Sequence, residues 1–261
     1  MADELRLNLG ALRSDMQLTL HTHHASRIWH GRPESEGQRR IVGLNGFVSI
    51  MARIKRGAEQ DDPYSDWWML KIEERLDGAK TRLQELRETV DHALAHIPRA
   101  LTVGENLSVQ PVKLPLFIGT QHGFLAVYLL ADYDDLARRF LLAHHTALID
   151  RDTLVQSLDE AAHVLRSLFM LAQRYRYSGA TRDDFAANNA VARAAREKLG
   201  DLPQDVLEGT KRPRFAPPII RRSALTDMAA PSYSPSPAPD VELEEALPEL
   251  PLESAEDMAR E

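Results

Sequence analysis

Four histidines lie close together near the N-terminus, in the sequence LTLHTHHASRIWH. Apolar and polar residues alternate from Met16 to His23, which predicts a half-buried strand with His21 and His23 on its polar face. Two imidazoles on one face could hold a metal ion together with a carboxylate, as in a metal-dependent nuclease. No Asp or Glu lies at ligand spacing, so the favoured interpretation is a polar strand surface without a metal or other cofactor.

Basic residues surround the histidine stretch and make it a candidate for contacts with nucleic acid. A strand with polar outward side chains can enter a major groove as one half of a β-ribbon, especially in a dimer. Nearby arginines and lysines could contact phosphates. The alternative is that these basic residues only balance acidic neighbours. The candidate residues for binding double-stranded DNA are Gln17, Thr19, His21, Arg27, Arg32, Arg39, Arg40, Arg53, Lys55 and Arg56.

Enzymatic chemistry has little support in the sequence. It contains no glycine-rich phosphate loop, dinucleotide fingerprint or nucleophile elbow. The absence of cysteine excludes thiol nucleophiles, disulfides and cysteine-ligated metals, and it fits a reducing cytoplasm. The longest apolar run, Phe124 to Ala131, is too short to cross a bilayer, and the N-terminus does not resemble a secretory signal. We therefore expect a soluble cytoplasmic protein that is not an enzyme and does not contact a membrane.

Charge and proline are distributed unevenly along the chain. The formal net charge of the 261 residues is −7. From Ser223 to Glu261 there are ten acidic residues and one basic residue, so the preceding part is close to neutral. Ten of the 15 prolines lie at or beyond Pro203, where hydrophobic periodicity is lost. These features predict a disordered, proline-rich and acidic tail over residues 201–261.

A long amphipathic helix is the strongest structural signal in the sequence. Apolar residues recur at alternating spacings of three and four from Met69 to Ile97, the pattern of a coiled-coil seam. Pro63 suits its first turn, Asp62 or Ser65 could cap it, and Pro98 would end it. Two residues of the seam are small alanines, which favours a brace inside the chain over a dimer zipper.

The remaining patterns predict shorter elements around this helix. Helices are predicted over Ile41–Gly57, Tyr133–Leu148 capped by Asp132, Arg151–Tyr177 capped by Asp150, and Arg182–Leu199, and strands over Val112–Ile118 and Phe124–Leu130. The sequence GTQHG between the two strands is interpreted as a hairpin connection. The prediction is a mainly helical α+β domain over residues 12–200, with a helical bundle and a small antiparallel β-sheet.

Three stretches resemble a known family: LTLHTHHASRIWHGR, DDPYSDWWMLKIEERLD and, most specifically, HGFLAVYLLADYDDLARRFLLAHHTALIDRDTLVQSLDEAAHVLRSLF. They resemble the accessory proteins of integrating conjugative elements, which are related to the AcaB-type transcriptional regulators of conjugative plasmids. The likeness spans about Gln17 to Arg176. It implies a bacterial mobile-element setting and, through the AcaB branch, a ribbon-helix-helix-like DNA-binding regulator whose ribbon would be Phe124–Leu130.

The sequence departs from that scheme at the ribbon. A ribbon that reads a groove needs alternating polar side chains, and FLAVYLL presents almost none. Either this strand is buried by added structure, or another strand, such as Gln17 to His23, reads DNA. We expect a DNA-associated accessory or transcriptional regulatory protein of an integrating conjugative element, acting as a dimer. The alternative is a non-enzymatic structural component of the element's transfer or maintenance machinery, which binds another protein of the element.

Overall fold

The computed structural model describes residues 14–33 and 40–220. These residues form eight helices and four short strands, and the strands make two separate two-stranded antiparallel sheets. The predicted class, mainly helical α+β with a small antiparallel component, is confirmed. None of these eight helices is both long and apolar enough to span a membrane. In chain order the elements are β1 (Gln17–Leu20), α1 (His23–His30), β2 (Gly31–Arg32), β3 (Ile41–Val42), α2 (Leu44–Glu59), α3 (Pro63–Leu94), β4 (Val112–Pro115), α4 (Gln121–His145), α5 (Arg151–Gln173), α6 (Arg182–Ala186), α7 (Ala190–Leu199) and α8 (Gln204–Leu207).

Helix α3 is the central element of the body, and it packs against α2, α4 and α5. Its predicted apolar stripe is buried from Met69 to Val90. The Asp62 side chain caps the helix by accepting a hydrogen bond from the Tyr64 N–H at 3.0 Å. Pro63 occupies the first position, where an N–H would have no partner within the helix. The predicted long helix is confirmed, and its stripe is covered by helices of the same chain, as the alanines in the seam indicated.

The predicted strand Phe124–Leu130 is wrong, because these residues belong to α4. The helix is buried over most of its circumference, and a short run that is apolar on all sides does not distinguish a buried helix from a buried strand. Thr120 belongs to the predicted hairpin connection, but it caps α4 instead and accepts a hydrogen bond from the Gly123 N–H at 3.1 Å. Asp132, predicted to cap a later helix, lies inside α4. The ribbon of the ribbon-helix-helix scheme is therefore not in this segment.

The helices α5 and α6 begin at the predicted capping residues, but each ends earlier than predicted. Asp150 caps α5 by accepting a hydrogen bond from the backbone N–H three residues later, at 2.8 Å. The predicted capping box of Thr181 and Asp184 opens α6. The single helix predicted over Arg182–Leu199 is wrong, because the chain turns at Asn188, whose φ is +47°, and the helix is divided into α6 and α7.

Both sheets are shorter than the predicted strands. The strand predicted over Val112–Ile118 pairs with β1 through its first four residues. The second sheet joins β2 to β3 and includes Ile41 and Val42, which the sequence assigned to the start of α2. Gly31 in this sheet has a φ of +77°, and a Cβ there would lie 2.4 Å from the Ile41 carbonyl oxygen. Only glycine allows the two strands to approach this closely.

Residues 204–220, here called the C-terminal strap, lie against the body. The Arg212 Nε is 2.8 Å from the Asp66 Oδ2, and the Asp66 side chain is fully buried. The Ile220 N–H donates to the Glu59 carbonyl at 2.8 Å. The sequence assigned these residues to the tail because they lack periodicity, whereas ion pairs and hydrogen bonds with distant residues hold them. The rest of the predicted tail, residues 221–261, lies outside the described residues.

Candidate nucleic-acid interface

Strands β1 and β4 form a two-stranded ribbon, which carries the polar face that the sequence assigned to β1. In the antiparallel register, Thr19 lies opposite Lys113 and Gln17 lies opposite Pro115. Because residues directly opposite each other share a face, Gln17, Thr19 and Lys113 lie on the same face, and all three are exposed. The two leucines of β1 fill the other face and are buried. We call the exposed side the ribbon face.

One buried carboxylate fixes the end of β1 to the helical body. Asp134 on α4 accepts hydrogen bonds from the backbone N–H groups of His21 and Thr22, at 3.0 and 2.9 Å. It also accepts one from the Thr22 hydroxyl at 2.8 Å. The same hydroxyl caps α1 by accepting a hydrogen bond from the Ala25 N–H at 3.1 Å. These bonds fix β1, the start of α1 and α4 relative to one another.

The structure separates the histidines that the sequence placed on one strand. Strand β1 ends at Leu20 because Thr22 caps α1, so the prediction that His21 and His23 share a strand face is wrong. The His21 Nδ1 accepts a hydrogen bond from the Ser108 N–H at 3.2 Å, so this ring nitrogen already has a partner within the chain. Within residues 14–33 and 40–220, no group of three or more His, Asp and Glu side chains is arranged to hold a metal ion.

Of the three basic candidates on α2, Lys55 has a contact with the segment that follows β4. Arg53 and Arg56 are exposed, whereas Lys55 is half-buried. The Lys55 ammonium donates a hydrogen bond to the Gly119 carbonyl at 3.3 Å. Gly119 follows β4 closely along the chain, so this bond places the Lys55 charge beside the segment that leaves the ribbon.

Three of the remaining basic candidates, Arg27, Arg32 and Arg40, lie in or next to the elements of the second sheet and α1. Arg27, in the last turn of α1, and Arg32, on β2, line one cavity. Arg40 is exposed immediately before β3. Arg39 lies outside the described residues. A contact between DNA and any of these arginines stays a prediction.

Two basic residues that the sequence did not single out share these surfaces. Lys113 lies on the ribbon face opposite Thr19, and its position between two apolar residues of a predicted edge strand was a usable signal. Arg166 on α5 lines the cavity with Arg27 and Arg32. No local pattern marks Arg166, because Arg27 and Arg32, the arginines that share the cavity with it, are more than a hundred residues away in the chain.

A family model for transcriptional regulators matches residues 8–220. Its description is "Transcriptional regulator AcaB", and the chain belongs to the AcaB family. No curated protein sequence matches the chain. The fold is similar to the crystal structure of selenomethionine-containing AcaB from uropathogenic E. coli, with a TM-score of 0.50 and 15% identity over 76% of this chain and 98% of that chain. The resemblance to AcaB-type regulators is confirmed, and the family indicates a regulatory role.

Proposed function

We propose that this chain is a DNA-associated transcriptional regulator of an integrating conjugative element, which acts in the cytoplasm without catalysis. The family supports regulation, and the sequence likeness to accessory proteins of such elements supports the setting. The observation that carries the DNA proposal is the ribbon face, where Gln17, Thr19 and Lys113 project from two paired strands.

The chemistry of the ribbon face suits a DNA major groove. The groove admits a two-stranded β-ribbon, and the amide of Gln17 can bond both polar atoms of an adenine edge. The Thr19 hydroxyl can donate or accept, and the Lys113 ammonium can bond guanine or a phosphate. Lys55 beside the ribbon end adds a further positive charge. This surface takes the place of Phe124–Leu130 in a ribbon-helix-helix-like scheme.

A dimer of the chain would present two ribbon faces to DNA. Each chain pairs both strands of its own ribbon, so the ribbon itself needs no partner. Dimeric regulators place two such elements on two half-sites of one operator. We therefore propose a dimer on DNA, and light scattering of the protein with and without its DNA would test it.

The DNA proposal is tested by fluorescence anisotropy with full-length protein. The probes are a labelled duplex from the promoters of the element that carries the gene and an unrelated duplex of equal length. We expect binding that weakens steeply with salt, because phosphate contacts release counterions. We also expect the promoter duplex to bind at least about tenfold more tightly than the unrelated one. Absence of salt-sensitive binding to either duplex would contradict the proposal.

A protein-interaction component remains the second candidate function, and one observation favours it. Phe117, just after β4, is 88% exposed and lines one surface cavity with Leu114, Leu116 and Ile118, and contiguous exposed apolar surface marks interaction sites. If this candidate is right, the chain does not bind DNA, and Phe117→Ser lowers the mass that light scattering measures. A DNA-binding protein whose mass is unaffected by Phe117→Ser excludes this candidate.

A further inference from the structure

A cavity of about 510 Å³ lies between α1, α5 and the sheet of β2 and β3. Its volume is within the range of natural small-molecule sites. Three arginines from three different elements line it: Arg27 from α1, Arg32 from β2 and Arg166 from α5. A single carboxylate in the lining, Asp159, opposes them. Arg27 and Arg166 together outweigh this one carboxylate, so the lining has an excess of positive charge.

Neither Arg27 nor Arg166 forms an ion pair within residues 14–33 and 40–220, because no carboxylate oxygen there lies within 4.0 Å of either guanidinium. Most of the half-buried arginines in the described ranges are paired with a carboxylate, as Arg182 is with Asp61 and Asp66, whereas the half-buried Arg166 is not, and Arg27 is exposed. Arginines that converge on a cavity without partners have their donors available for an anion, and guanidinium groups suit phosphate because they can donate two parallel hydrogen bonds.

Tyr133 provides a further donor in the same cavity, which it lines together with Arg27, Asp159 and Arg166. Burial raises the pKa of Tyr133 to about 12, so its hydroxyl keeps its proton at physiological pH. No hydrogen-bond partner of this hydroxyl is found in the described ranges. It is a neutral donor for a ligand oxygen.

The rest of the lining is apolar and would suit a different part of a ligand. Ile28, Val42, Ala162 and Phe169 form this part of the wall. Phe169 also packs on Phe47 in the core, with ring centroids 5.2 Å apart, which keeps this wall rigid. A cavity lined by both guanidinium groups and apolar side chains fits a molecule that combines an anion with a ring.

We propose that this cavity binds a small organic phosphate of the nucleoside monophosphate class. Arg27 and Arg166 would hold the phosphate, Tyr133 would donate to one of its oxygens, and the apolar wall would contact the base. Such a site lies apart from the ribbon face and would give the regulator a small-molecule ligand. The same phosphate chemistry could instead come from a DNA backbone, and the experiment separates the two sources.

Isothermal titration calorimetry of the full-length protein tests the site with adenosine 5′-monophosphate, inorganic phosphate and adenosine. We expect the monophosphate to bind and adenosine to bind at least about tenfold more weakly, which corresponds to about 1.4 kcal/mol. Arg27→Gln and Arg166→Gln should each weaken monophosphate binding by at least about tenfold. The matched control is Arg151→Gln, because Arg151 is exposed on the same helix as Arg166 and does not line the cavity. Circular dichroism would show that each variant is folded.

Three results would overturn the proposal. The first is that neither the monophosphate nor inorganic phosphate binds at millimolar concentration. The second is that Arg27→Gln and Arg166→Gln bind the monophosphate as tightly as Arg151→Gln does. The third is that the monophosphate does not bind and both cavity variants weaken duplex DNA binding instead, which would assign the arginines to a DNA backbone. The DNA titration of the ribbon face is independent of all three results.

Discussion

Asp134 is buried, with 3% of its surface exposed, and its carboxylate accepts hydrogen bonds from three donors at the junction of β1 and α1. The local sequence pattern of α4 does not predict a buried aspartate here, because the hydrogen-bond partners of Asp134 lie in a distant segment. Its role in positioning the ribbon face follows from these bonds. Arg138 lies 3.7 Å away on the next turn and supports the negative charge.

Replacing this carboxylate should loosen the ribbon. Asp134→Asn leaves one oxygen for three donors, and an unsatisfied buried donor costs about 1–3 kcal/mol. We expect urea denaturation at neutral pH to show a loss of about this size. Asp132→Asn is the control, because Asp132 is exposed on the same helix. Equal stability of the two variants would contradict the role of Asp134.

A second buried carboxylate joins the C-terminal strap to the body. The Glu73 Oε1 is 2.8 Å from the His122 Nε2, and Glu73 also accepts hydrogen bonds from the backbone N–H groups of Arg214 and Phe215. Burial raises the pKa of Glu73, but the hydrogen bonds from His122 and the strap outweigh burial, so the pKa is lowered overall. The strap therefore depends on an ionised Glu73.

This arrangement predicts how the stability contributed by Glu73 depends on pH. Because the folded pKa lies below the ordinary value of 4.5, the contribution is complete above that value and is lost as pH falls through the folded pKa. Glu73→Gln should thus be less stable than the natural chain at neutral pH, and the difference should shrink below about pH 4.5. Urea denaturation across this pH range measures it.

The neighbouring residue provides a matched control for the pH experiment. Glu74 is exposed, so Glu74→Gln should change stability little at any pH. Hydrogen exchange should show faster exchange of the strap amides in Glu73→Gln but not in Glu74→Gln. A stability difference between Glu73→Gln and the natural chain that grows as pH falls would contradict the assignment.

At the scale of the element, sequence patterns predicted α3 well and α4 only in part. The stripe of α3 alternates with polar residues, and one buried face gives a clear helical period. Helix α4 is covered on several sides by α1, α2, α3 and α5, and the apolar residues of its first half show no single period. The predicted helix from Tyr133 was its second half, where charged residues return. The first half of α4 was predicted as a strand because its burial depends on helices that are distant in the sequence.

The C-terminal end of α4 offers a test of backbone conformation. Ala147 follows this helix with a φ of +58°, a region that residues with a Cβ rarely adopt. Ala147→Gly should raise the free energy of unfolding by about 0.5–1 kcal/mol, because glycine adopts this conformation without strain. Thermal denaturation measures the change.

The same substitution in the middle of α4 should have the opposite sign. Ala131 is exposed and helical, so Ala131→Gly should lower the free energy of unfolding by about 0.5–1 kcal/mol. Changes of the same sign in both variants would show that the conformation of Ala147 is not the cause.

At the scale of the whole molecule, the interactions that the sequence did not predict are those between distant segments. The Asp66 carboxylate accepts hydrogen bonds from both Arg182 and Arg212, and this joins α3 to α6 and to the strap. The residues that surround each of these two arginines in the sequence do not distinguish it from an exposed arginine. For the same reason, the sequence identified the polar residues of β1 as a candidate surface, but not Lys113, which reaches the same face through strand pairing.

The central claim, that the ribbon face binds DNA, is tested most directly by reversing one charge on it. Lys113→Glu should weaken binding to the promoter duplex by at least about tenfold and lower the salt dependence by about one phosphate contact. The control is Lys198→Glu, which makes the same charge change at an exposed position of α7. Anisotropy titrations should show this loss for Lys113→Glu and an affinity close to that of the natural chain for Lys198→Glu. Equal affinities of the two variants would contradict the assignment of DNA binding to the ribbon face.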